Sequence, residues 1–171
     1  ALERGANAAV SLLGRADGFL GNPAVRIELP GFLKDAAKLL KATGQSKRVD
    51  ELVTAMNRAA EAAVPEAKDL LVGAVTSMSV EGALKIVRGG ETSVTEFFSA
   101  KTRQPIGQKI LAIVDRATEK VSLAQKYDAV AGKAAGMGLV KKEEGDLTGY
   151  VTGKALDGLY FMIAEEEKKI R

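Results

Sequence analysis

The stretch KALDGLYFMIAEEEKKIR, Lys154–Arg171, predicts a helix that the rest of the chain encloses. Leu156, Leu159 and Ile163 repeat at helical spacing along one stripe, and Tyr160 places apolar surface on the opposite side. A helix that is apolar on nearly all sides is typical of a buried central position. The run EEEKK that follows has opposite charges three and four residues apart, which favours a solvated helix end. We therefore expect a bundle organised around a buried C-terminal helix whose tail emerges into water.

The remaining sequence has the same helical periodicity, broken by turn and cap residues at short intervals. Aromatic residues make up 5% of the chain and Trp is absent, so alanine and aliphatic side chains must form the core. The length of 171 residues suits one domain, 1–171, and the fold class is all-α, a compact bundle of eight or nine helices. The predicted helices are Ala1–Leu13, Phe32–Thr43, Lys47–Val64, one opened by Pro65, Val80–Arg88, one from Thr92 or Ser93 to about Lys101, Gln108–Val121, one after Ser122 and the last from near Tyr150.

Proline and glycine set several of these limits. Pro65 is expected at the first position of a helix, where its missing N–H costs nothing. Pro105 is expected to separate two helices. Gly149 and Gly153 disfavour helix, so the last helix is expected to begin near Tyr150 or later.

The longest irregular stretch is Arg15–Gly31, RADGFLGNPAVRIELPG. It contains turn dipeptides and two prolines, and its alternating segment Val25–Leu29 is compatible with a short extended piece. A loop of this length is either functional or held by its own apolar residues, here Phe19 and Leu20. The functional alternative is a lid over an apolar pocket.

Composition excludes several kinds of chemistry. The chain has neither His nor Cys, which removes Ser-His-Asp and Cys-His catalysis, imidazole and thiolate metal ligands, and disulfides. Its net charge of +3 comes without a clustered basic run, so no nucleic-acid partner is expected. No apolar segment reaches about 18 residues, so no membrane span is expected. The chain opens with Ala1 inside a helical pattern, which suggests that an upstream segment was trimmed.

One group of polar residues lies beside a predicted apolar stripe. Asn57 and Glu61 are i,i+4 neighbours in MNRAAEAAVP, and Arg58 projects away from the stripe. These residues either orient a ligand or form a structural polar network that ties this helix to a neighbour.

A second group lies on the last helix. Lys154 and Asp157 are expected to be partly buried and to pair with each other, because an unpaired buried charge is costly. A third possibility is an all-oxygen metal site formed by Glu61 with a glutamate of Glu165–Glu167, although the EEEKK run also fits a solvated helix end. We expect no resident cofactor. The candidate ligand-binding residues are Asn57, Arg58, Glu61, Lys101, Tyr127, Lys154, Asp157 and Phe161.

Three stretches in order carry a family resemblance: GFLGNP (Gly18–Pro23), MNRAAEAAVP (Met56–Pro65) and the C-terminal KALDGLYFMIAEEEKKIR. The chain resembles domain of unknown function 4197, a family of small all-helical, largely bacterial proteins, from Ser11 to Arg171. The resemblance implies one helical domain, and it implies an N-terminal export signal in many members, hence a periplasmic or otherwise exported location. It also implies a chain that continues a little beyond Arg171, and it implies no activity.

Two classes of function remain. The first is a non-catalytic binding module for an apolar, lipid-like ligand or a partner protein, with an apolar pocket near the last helix. The second is an enzyme or divalent-metal protein in which Lys154, Asp157, Asn57, Glu61 and Tyr127 converge in one cleft. The empty catalytic inventory favours the first class.

Overall fold

The computed structural model describes residues 2–76, 93–136 and 147–170. Within these ranges the chain forms seven helices and no strand, which confirms the all-α prediction. The helices are α1 (Leu2–Leu13), α2 (Gly31–Ala42), α3 (Ser46–Glu66), α4 (Lys68–Thr76), α5 (Ser93–Lys120), α6 (Leu123–Gly136) and α7 (Leu147–Ile170).

The expected number of eight or nine helices is slightly too high for the described ranges. Two segments predicted as separate helices form the single 28-residue α5, with Pro105 inside it. Pro105 is exposed, and buried Thr102 and Ile106 continue one inward stripe on either side of it. Packing along this stripe outweighs the cost of a mid-helix proline, which is about 3 kcal/mol. The helix predicted at Val80–Arg88 lies outside the described residues.

Two other helix limits also differ from the predictions. Pro65 lies in the last turn of α3 and does not open α4. Its exposed ring flanks Gly14, just beyond the end of α1. The last helix begins at Leu147, earlier than expected, because the buried residues Leu147 and Val151 extend its packed face across Gly149 and Gly153.

The central helix is α3, and the prediction of a central C-terminal helix is wrong. Helix α3 contacts each of the other six described helices, whereas α7 packs mainly against α5 and α1. The buried residues of α3 include the polar pair Asn57 and Glu61. Helix α7 buries one broad face and exposes Lys154, Asp157 and Phe161 on its outer side.

The buried apolar residues form one core cluster that draws on all seven described helices, with Leu71 as the contribution of α4. Alanines of α1 and α3, such as Ala9, Ala59 and Ala60, are fully enclosed and let these helices approach closely. No helix among the described residues is both long enough and apolar enough to cross a membrane.

Candidate functional site

Helices α5 and α7 run antiparallel and leave an open groove on the outside of the bundle. Their direction follows from two pairs, because Phe98 contacts Tyr160 whereas Gly107 lies near Leu156. The groove has two adjoining parts, of about 590 Å³ and about 510 Å³, which share Ser99, Ala100 and Arg103. We call these two parts together the α5–α7 groove.

The larger part of the groove is floored by residues with little or no side chain. Gly107 on α5 and Gly149 and Gly153 on α7 line it, with Leu111 and Leu156 as its apolar walls. A Cβ placed on Gly153 would meet no atom within 4 Å. The glycines therefore leave room in which an apolar group of another molecule fits.

Exposed apolar side chains mark this groove. Leu111 is 41% exposed and Phe161 is 42% exposed. They are the two exposed large hydrophobic side chains among the described residues. Leu111 lines the larger part and Phe161 lines the smaller part. Single exposed apolar residues are ordinary, so the notable feature of these two is that both line the same groove.

Arg103 lies where the two parts of the groove meet. Its Nη2 is 2.7 Å from Asp157 Oδ1 and donates a hydrogen bond of 3.2 Å to the Gly153 carbonyl. Its guanidinium carbon lies 6.0 Å from the centre of the Tyr160 ring. The Arg103 and Asp157 side chains are 42% and 54% exposed, so this ion pair stays in contact with water.

Tyr160 forms the inner wall of the smaller part. The Thr102 hydroxyl donates to the Phe98 carbonyl at 2.6 Å, so the Tyr160 hydroxyl is the donor in its 3.0 Å bond to Thr102 Oγ1. Burial raises the pKa of Tyr160, while the charge of Arg103 opposes that rise. Tyr160 therefore acts as a neutral donor that joins α7 to α5.

The group Asn57, Arg58 and Glu61 holds residues 15–30, which we call the strap. Asn57 brackets one strap residue: its Oδ1 accepts the Ile27 N–H at 2.8 Å and its Nδ2 donates to the Ile27 carbonyl at 2.9 Å. Glu61 Oε2 accepts the N–H groups of Phe19 and Leu20 at 3.1 and 3.0 Å. Asn57 and Glu61 thus form a structural polar network, which is one of the two predicted alternatives. The element that they hold is the strap and not a neighbouring helix.

Arg58 completes this network from the solvent side. Its Nη1 is 2.7 Å from Glu61 Oε1, and its Nη2 is 3.0 Å from Asp17 Oδ1 on the strap. The hydrogen bond to Glu61 raises the pKa of Arg58, and Asp17 adds to the rise against the effect of desolvation. The guanidinium thus neutralises the buried Glu61 carboxylate.

The strap also contacts α7. The Phe19 ring packs on Gly158, where an added Cβ would lie 2.8 Å from Phe19 Cε1. The Tyr150 hydroxyl donates to the Glu28 carbonyl at 2.6 Å. The expectation that Phe19 holds this stretch is confirmed, since its side chain is fully buried. The strap lies on α3 and on α7, and none of its residues lines either part of the α5–α7 groove.

The structure distributes the candidate ligand-binding residues over several places. Asp157 and Phe161 line the α5–α7 groove, and the exposed Lys101 lies on α5 outside its lining. Tyr127 lines a separate cleft of about 430 Å³ between α5, α6 and the start of α7. The predicted Lys154–Asp157 pair is wrong: both residues are exposed, Asp157 pairs with Arg103, and the Lys154 ammonium lies 5.8 Å from the Tyr150 ring centre.

The residues of the catalytic or metal alternative do not share a cleft. Glu61 faces the strap, whereas Glu165 and Glu166 form ion pairs with Lys168 and Lys169, each at 3.2 Å. Among the residues that the structure describes, no three metal-ligating side chains are grouped so that they could hold an ion.

Two residues that line the groove, Leu111 and Arg103, are not among the candidate residues predicted from the sequence. Leu111 follows the buried Ile110 in an apolar helical pattern, but it lies just outside the buried face. Arg103 had no sequence signal, because its partner Asp157 is 54 positions away along the chain. The useful signal was Gly149 and Gly153, two glycines four residues apart, which place an open stripe on one side of α7.

Comparison with known proteins supports the family resemblance and adds no function. The family described as "Protein of unknown function (DUF4197)" matches residues 1–171, so the chain belongs to this family. No curated protein matches the chain, and no solved structure matches it.

Proposed function

We propose that this member of the family is a non-catalytic binding module that takes an apolar, lipid-like ligand in the α5–α7 groove. The observation that carries the proposal is that Leu111 and Phe161, the exposed large hydrophobic residues of the described chain, line the two adjoining parts of the groove. Covering them removes apolar surface from water, which stabilises the complex by about 25 cal/mol per Å².

The dimensions of the groove support a ligand of this class. Its larger part, about 590 Å³, is of the size of small-molecule sites, which span roughly 300–1,000 Å³. Gly107 and Gly153 give a smooth floor, and among the described residues of that lining Arg103 alone carries a charge. A floor of this kind suits a linear or flat apolar group.

A partner protein is the second candidate, and one observation favours it. The groove is open to solvent between two antiparallel helices, which is the geometry in which an amphipathic helix places its apolar face. In this case Leu111 and Phe161 would contact apolar residues of the partner's helix.

Binding of the uncharged fluorophore N-phenyl-1-naphthylamine, followed by its fluorescence, tests the first proposal. We expect saturable binding to the wild-type protein and its loss in Gly153→Leu, whose side chain fills the groove floor. Gly73→Leu is the matched control, because Gly73 is also a helical glycine with no atom within 4 Å of an added Cβ, but it lies on α4. Equal binding by the two variants would show that the groove is not the site.

Native mass spectrometry of the protein purified from its own host then identifies the occupant. A bound molecule of a few hundred daltons that is lost on denaturation supports the lipid-like class. A stoichiometric protein partner supports the second candidate.

We also propose an exported location, which rests on the family resemblance. Fractionation of host cells that produce the full gene product tests it. Recovery with the cytoplasmic fraction would contradict this proposal.

A further inference from the structure

We infer that the ligand of the α5–α7 groove is an amphiphile whose anionic oxygen head group binds Arg103 while its tail extends toward Leu111. This inference rests on the proposed function and names the chemical class of the ligand. A carboxylate or a phosphate ester presents the same oxygen acceptors to a guanidinium, and the head group is defined by that shared chemistry.

The position of Arg103 supports an anionic head group. It is the one cation among the described residues that line the two parts of the groove, and it lies at their junction. A guanidinium has five N–H donors, and the contacts of Arg103 with Asp157 and with the Gly153 carbonyl both use Nη2. No hydrogen bond to any described residue uses its Nε or Nη1, so no described residue competes with a ligand for these donors.

Two acidic residues near Arg103 compete with an anionic ligand for its positive charge. Asp157 already contacts Arg103 at 2.7 Å, and Glu96 lines the far end of the smaller part. A guanidinium has enough N–H donors to bond a second carboxylate beside the first. Asp157 therefore positions Arg103 and at the same time weakens its attraction for an anion. Removal of the Asp157 charge should for this reason strengthen the binding of an anionic ligand.

The tail has an uncharged path from this point. Leu111 lies eight residues beyond Arg103 on α5, about 12 Å along the helix axis at about 1.5 Å per residue. Gly107, Gly153 and Leu156 line this path, and none of the described lining residues beyond Arg103 is charged. A medium-length alkyl chain fits this distance.

Isothermal titration calorimetry with two matched probes tests the inference. Decanoate and decan-1-ol have the same chain and differ in the charge of the head group. We expect the wild-type protein to bind decanoate about tenfold more tightly than decan-1-ol, the effect of one charge-assisted hydrogen-bonded contact.

Substitutions of opposite sign sharpen the test. Arg103→Gln should weaken decanoate binding more than decan-1-ol binding and so abolish the preference for decanoate. Asp157→Asn should strengthen decanoate binding, because it removes the competing negative charge but keeps an oxygen acceptor for Arg103. Arg116→Gln is the control: Arg116 is an exposed arginine of α5 that lines neither part of the groove, and its loss should change neither affinity.

Failure of the inference can be distinguished from failure of the proposed function. Equal affinities of the wild-type protein for both probes, or a preference that survives Arg103→Gln, would overturn the anionic head group and leave the apolar site standing. Absence of binding by both probes and by N-phenyl-1-naphthylamine would overturn the apolar site as well.

Discussion

Asn57 shows how one side chain fixes a stretch that has no regular structure. Its amide is fully buried and uses its oxygen and its nitrogen, bonding both backbone groups of Ile27 and the Val53 carbonyl. A buried backbone segment without such partners would leave polar groups unsatisfied. Asn57 thus allows Ile27 to be buried without a helix or a strand.

Replacement of this amide is the first prediction. Asn57→Ala should lower the free energy of unfolding by about 2–3 kcal/mol, because it leaves the buried N–H and carbonyl of Ile27 without partners. Urea denaturation measures the change. Asn22→Ala is the matched control, since Asn22 Oδ1 bonds the exposed Ala24 N–H and its loss should cost less than about 1 kcal/mol. Equal losses in the two variants would contradict this role of Asn57.

The second prediction concerns alkaline pH. The pKa of Tyr160 is raised above its ordinary value of 10.0, mainly by burial. The folded state therefore holds this proton more tightly than the unfolded state, so the contribution is complete below about pH 10 and is lost as the pH rises through the folded pKa. The free energy of unfolding should fall above about pH 10.

Urea denaturation between about pH 8 and about pH 11 measures this slope, which should be shallower in Tyr160→Phe. Tyr150→Phe serves as the comparison, because burial and the charge of Glu28 also raise the pKa of Tyr150. A slope that both substitutions leave unchanged would show that these hydroxyls do not cause the alkaline loss.

For individual residues, the sequence identified the polar pair Asn57 and Glu61 but not the strap residues that they bond. The i,i+4 spacing of Asn57 and Glu61 beside an apolar stripe predicted a structural network as one alternative. The acceptor and donor groups of that network lie 30–42 positions away in the chain. Helical periodicity carries information about neighbours three and four residues apart, so it cannot identify such a partner.

For the helices, the spacing of apolar residues correctly predicted an all-α structure. The low helix propensity of proline and glycine led to wrong predictions of where some helices begin and end. Pro105 and the glycines Gly149 and Gly153 lie inside helices because long buried stripes continue on both sides of them. Intrinsic propensity contributes at most about 3 kcal/mol per residue, which is less than the burial of several large side chains. Tertiary packing therefore decided these limits.

The third prediction compares two glycines on α7. Gly153→Ala should raise the free energy of unfolding by about 0.5–1 kcal/mol, because alanine favours helix and the added Cβ meets no atom within 4 Å. Gly158→Ala should lower it, because its Cβ would lie 2.8 Å from Phe19 Cε1 and would displace the strap. Thermal denaturation measures both changes. A gain in stability for Gly158→Ala would contradict the close packing of Phe19.

Across the whole molecule, α7 separates a closed face from an open one. On one side Phe19 and Tyr150 join it to the strap, and on the other Gly153 and Asp157 line the groove. The sequence predicted an apolar pocket near the last helix, with the strap as its possible lid. It could not predict which side is closed, since this depends on α3 being the central helix.

The fourth prediction distinguishes a clamped strap from a lid. The N–H groups of Phe19, Leu20 and Ile27 are bonded to buried side chains of α3, so they should exchange with solvent only when a large part of the molecule opens. The N–H of exposed Ala24, bonded to Asn22 Oδ1, is the internal control and should exchange at least about a hundredfold faster.

Hydrogen exchange followed by NMR measures these amides one by one, in the free protein and with N-phenyl-1-naphthylamine bound. Because the strap is held by α3 and lines no part of the groove, the probe should change the exchange of Gly149 and Gly153 far more than that of Phe19 and Ile27. A lid must open for its ligand to enter. Fast exchange of Phe19 and Ile27 in the free protein that slows sharply on binding would therefore show that the strap closes over the ligand.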